Sequence, residues 1–72
     1  MASGQGQYPV SNNTYNLLQV LTSKLESIEA YSKYERDADE QSRGIFRELA
    51  EQDRQAVQRL VGALKQALQR EG

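Results

Sequence analysis

Apolar residues recur at helical spacing in two stretches of the chain. In the first stretch they are Leu17, Leu18, Leu21, Leu25 and Ile28. At about 100° per residue these side chains fall within an arc of roughly 100°, which is typical of a helix with one buried face. The second stretch has a similar stripe, formed by Ile45, Phe46, Leu49, Ala56, Val57, Leu60, Leu64 and Leu68. The pattern predicts two amphipathic helices and no strand.

The segment before the first stripe, residues 1–13, differs in composition from the rest of the chain. It is rich in Gly, Ser, Gln and Asn and contains the only proline, so we expect a flexible N-terminal tail. Residues that favour the N-cap position stand directly before the stripe: Asn12, Asn13 and Thr14. The helical domain is therefore predicted to span residues 14–70.

The chain reverses direction somewhere between Asp37 and Gly44. Asp39 or Ser42 could cap the second helix, or Gly44 could end the first one, and the sequence favours neither arrangement. Each arrangement leaves a short connection, and short connections place consecutive helices side by side in antiparallel orientation. An antiparallel helical hairpin is the predicted unit.

One hairpin leaves much of both apolar stripes in contact with water, because two helices cannot enclose a core. Two hairpins related by a twofold axis would bury the stripes in a four-helix bundle. We therefore predict an all-α fold, an antiparallel helical hairpin that self-associates into a four-helix bundle. Three tyrosines near the edges of the first stripe are either surface residues or contacts with a further subunit: Tyr15, Tyr31 and Tyr34.

Each apolar stripe carries one acidic residue. Glu29 lies about 40° from Leu25 around the first helix, and Asp53 lies about 20° from Leu60 around the second. Both acids are similarly distant from the turn, so the antiparallel pairing is expected to bring them to the same height. The twofold bundle would then collect four carboxylates in one layer, an arrangement that holds iron or manganese in bundle proteins.

Both acids also have purely structural interpretations. Glu29 could pair with Lys33 at i,i+4. Asp53 has no basic residue three or four positions away, so its partner must come from another helix or from water. Four further acids are expected to lie on solvated faces: Glu26, Glu35, Glu48 and Glu51.

The composition excludes several classes of function. The chain has no Cys and no His, which removes thiol nucleophiles, disulfides and the commonest general base and metal ligand. The net charge of −1 gives no electrostatic reason to bind nucleic acid or a membrane. No apolar run reaches the ~20 residues of a transmembrane helix, and no secretory signal is evident. We expect a cytoplasmic protein that is not a conventional enzyme.

Residues 25–34 and 46–55, LESIEAYSKY and FRELAEQDRQ, resemble the short bacterial ferritin-like proteins, which include encapsulated ferritins. The resemblance implies hairpins that pair into a ferritin-like four-helix bundle, with Glu29 and Asp53 at the positions of two metal-binding acids. Ala56 occupies the position of the family's histidine ligand and cannot bind a metal. The resemblance therefore implies the family fold, with ferroxidase activity only if a metal site assembles without histidine.

Three hypotheses follow from these observations. The first is a non-catalytic ferritin-like oligomer, a homodimer or larger, with a structural or partner-binding role. Its candidate partners are a larger shell or a helix of another protein. The second is iron or manganese binding or storage through Glu29 and Asp53. The third is a coiled-coil-like adaptor that offers a groove to a helix of another protein.

Overall fold

The computed structural model describes residues 9–71 and contains two helices, α1 (Asn12–Asp37) and α2 (Glu40–Glu71). The two helices pack against each other along their length in antiparallel orientation. No strand occurs in this part of the chain. The predicted all-α class and the helical hairpin are therefore confirmed. The hairpin is long and thin, with Cα extents of 49 × 20 × 12 Å.

The first helix begins earlier than predicted, because Ser11 is its N-cap. Ser11 has extended backbone angles, and its Oγ accepts a hydrogen bond of 3.2 Å from the backbone N–H of Thr14. Asn12 and Asn13 are already helical. The prediction of a cap among residues 12–14 was wrong because the helix includes the turn before the apolar stripe. The predicted tail at residues 1–13 lies largely outside the described residues.

The connection between the helices consists of Ala38 and Asp39. The Oδ1 atom of Asp39 accepts a hydrogen bond of 2.8 Å from the backbone N–H of Ser42, so Asp39 is the cap of α2. Gly44 lies inside α2 and ends neither helix. The guanidinium of Arg43 reaches back to the end of α1, where it donates to the carbonyl oxygens of Ala38 at 2.9 Å and of Glu35 at 3.3 Å. One arginine thus satisfies carbonyls that the end of a helix leaves unpaired.

The contact between the helices follows alternating steps of three and four residues, as in coiled coils. On α1 the positions that face α2 are Thr14, Leu17, Leu21, Lys24, Ile28, Tyr31 and Glu35, all buried or half-buried. On α2 they are Arg43, Phe46, Ala50, Asp53, Val57, Leu60, Leu64 and Ala67. Charged and small residues alternate with large apolar ones at these positions, so the apolar packing along the seam is interrupted.

Four apolar residues that were predicted to face inward are instead exposed: Leu18 by 40%, Leu25 by 51%, Ile45 by 50% and Leu68 by 49%. The predicted arcs were centred on the bulkiest side chains. The observed contact instead follows the coiled-coil spacing. With that spacing Lys24 faces α2, and its neighbour Leu25 is exposed. Three of the eight leucines therefore lie at the edges of the seam.

Candidate functional site

Asp53 is buried in the middle of the seam, with 8% of its surface exposed. Its Oδ1 atom lies 3.2 Å from the Nζ atom of Lys24 on the other helix. The sequence had required a partner from another helix or from water, and Lys24 supplies it. The aliphatic part of a lysine can lie along an apolar surface while its ammonium group stays near solvent, and the Lys24 side chain is 39% exposed.

The Lys24–Asp53 pair leaves no buried polar atom unsatisfied. Within the described residues, every buried side-chain nitrogen and oxygen has a hydrogen-bond partner. Desolvating two charges offsets most of their attraction, so such a pair adds little stability compared with an apolar pair. If the helices paired out of register, the ion pair would be broken and Asp53 would be buried without a partner, which is unfavourable. The pair thus favours one register of the hairpin.

Glu29, the other predicted site residue, is exposed. It lies five residues beyond Lys24, about 7.5 Å further along α1 at 1.5 Å per residue. The structure therefore places Lys24, rather than Glu29, opposite Asp53. Glu29 forms no ion pair with Lys33 or any other described residue. Within residues 9–71, no group of three or more His, Cys, Asp or Glu side chains could hold a metal ion. The predicted iron or manganese site at Glu29 and Asp53 stays a prediction.

A second acid contacts the start of α1 at the open end of the hairpin, the end opposite the turn. The Oε2 atom of Glu71 accepts hydrogen bonds from the Oγ1 atom of Thr14 at 2.6 Å and from the backbone N–H of Ser11 at 3.0 Å. The Thr14 hydroxyl and then the Ser11 N–H lower the pKa of Glu71 below its ordinary value. A carboxylate here also neutralises the positive end of the α1 dipole. The paired hydroxyls of Ser11 and Thr14 are only a weak signal for this contact in the sequence.

At the turn end, aromatic side chains fill the seam. Tyr31 stacks on Phe46 with ring centroids 6.2 Å apart, and Tyr34 contacts Tyr31 edge-on and Phe46 at an interplanar angle of 57°. Next to them, the Nε atom of Arg47 donates to Glu35 Oε1 at 3.1 Å. Glu35 is half-buried in the seam, so the prediction that it lies on a solvated face was wrong. Tyr31 therefore packs within the hairpin, whereas Tyr34 is 51% exposed.

The seam has two edges, and each carries both apolar and basic side chains. One edge carries exposed apolar side chains from both helices, which we call the leucine face: Leu18, Leu25, Val61 and Leu68. The other edge holds a shallow groove of ≈340 Å³ lined by Val20, Lys24, Ala56, Arg59, Leu60 and Ala63. Leu18 and Val20 lie on opposite edges because they are separated by about 160° around α1.

Neither edge presents a catalytic arrangement. The carboxylates of Glu35 and Asp53 each contact a cation of the other helix. The carboxylate of Glu71 accepts from a hydroxyl and a backbone N–H, and it lines a shallow groove of ≈270 Å³ at the open end. What the surface offers instead is apolar area at helical spacing, which suits contact with other helices.

No helix in the described part of the chain has the length and apolar character to span a membrane. No protein-family model matches the sequence, and no curated protein or solved structure is significantly similar to it. The resemblance to ferritin-like proteins therefore stays a prediction.

Proposed function

We propose that this chain is a non-catalytic, self-associating helical protein with a structural role, whose hairpins pair into a four-helix bundle of the ferritin-like kind. The observation that supports the proposal is how little the hairpin encloses. Only four described residues are buried, and two of them are polar: Ala50, Ala67, Thr14 and Asp53. Eight large apolar side chains are between 37% and 51% exposed.

The shape of the hairpin supports the same proposal. Its radius of gyration is 16.0 Å, whereas a compact domain of this length would have about 11 Å. Apolar surface contributes about 25 cal/mol for every Å² removed from water, and a structure two helices thick leaves that contribution largely unused. A second hairpin is the simplest addition that covers an exposed edge along both helices, and most soluble homo-oligomers are symmetric pairs.

Iron or manganese binding through Glu29 and Asp53 is the less favoured alternative. A metal at Asp53 would compete with the Lys24 ammonium group, which already neutralises that carboxylate. The bundle needs no metal for its apolar contacts. Metal analysis of the purified protein tests the alternative: stoichiometric iron or manganese that is lost in Glu29→Ala would support it.

Sedimentation equilibrium of the full chain, from low to high micromolar concentration, tests self-association. We expect a dimer or a larger assembly, together with a thermal midpoint that rises with protein concentration, because association stabilises only the folded chain. A stably folded monomer whose midpoint is independent of concentration would contradict the proposal. That result would favour the adaptor hypothesis, in which the exposed edges receive a helix of another protein.

A further inference from the structure

We draw no further inference here: the strongest candidate, the shallow groove of ≈340 Å³ between α1 and α2 that Lys24 and Arg59 border, is an unpartnered and largely apolar surface, and nothing in the structure shows what covers it.

Discussion

The two halves of the hairpin are stabilised in different ways. In the turn half, Phe46 packs against Tyr31 and Tyr34, and Arg43 and Arg47 bridge to the end of α1. In the open half, four half-buried leucines and small side chains close the seam, Glu71 accepts hydrogen bonds across it, and three further leucines are exposed at its edges. The turn half therefore relies on aromatic and arginine contacts within one chain and exposes Tyr34 and Ile45, whereas the open half relies on aliphatic contacts and exposes more of its large apolar side chains.

The largest expected effect is the loss of the aromatic contact in the turn half. Phe46→Ala should lower the free energy of unfolding by up to about 3 kcal/mol, the lower end of the range for a buried aromatic, since it removes a half-buried ring that contacts both Tyr31 and Tyr34. The loss should appear at every protein concentration, because these contacts are made within one chain. Denaturant unfolding at two concentrations measures it.

Leu68→Ala in the open half is the matched comparison. Leu68 is 49% exposed, so this change should cost less than about 1 kcal/mol in the dilute protein, where burial in the single chain is all that is lost. Its cost should grow at concentrations where the chains associate. Equal losses for Phe46→Ala and Leu68→Ala in dilute solution would mean that the two halves do not differ in this way.

The charged pair lies between the two halves and has the next largest expected effect. Lys24→Leu leaves Asp53 buried without its cation and should cost about 1–3 kcal/mol, a range reduced from that of fully buried pairs because Lys24 is partly exposed. The double variant Lys24→Leu with Asp53→Leu should recover most of that loss and could exceed the wild-type stability. Thermal unfolding of the single and double variants measures the recovery. If the double variant is as unstable as the single one, the ion pair itself stabilises the fold and does not merely favour one register of the helices.

The helices and the approximate place of the turn could be predicted from sequence because both are local. Periodic leucines and the capping preference of Asp39 act over a few residues. The rotation of each helix about its axis could not be predicted in the same way. An arc drawn through the leucines maximises the apolar content of the predicted contact. The observed contact includes Lys24 and Asp53, because these two charges pair with each other when the helices pack together.

The candidate site shows the same limit. The sequence of α2 shows that Asp53 has no basic partner on its own helix. Which residue of α1 pairs with it depends on the register of the two helices. The hydrogen bonds from Ser11 and Thr14 to Glu71 join residues about 60 positions apart, and neither end of the sequence indicates the other. Contacts between residues distant in the sequence determine which acids are buried. These contacts leave no recognisable pattern in a single sequence.

The smallest expected effect compares the two ends by pH. Glu71 at the open end and Asp39 at the turn each accept hydrogen bonds from a helix N-terminus, and these bonds lower the pKa of both groups below their ordinary values of 4.5 and 3.8. A carboxyl group with a lowered pKa in the folded chain stabilises the fold above its unfolded pKa. It loses that contribution as the pH falls through its folded pKa.

Stability should therefore decline as the pH falls below about 4.5 and continue to decline through the range in which Asp39 is protonated. Glu71→Gln should remove the upper part of this decline and Asp39→Asn the lower part, as measured by thermal midpoints across the acid range. Since Glu71 joins the two helices while Asp39 caps only its own, Glu71→Gln should also increase hydrogen exchange at the start of α1, and Asp39→Asn should not. Equal exchange in both variants would mean that the open end does not depend on Glu71 to hold α1 against α2.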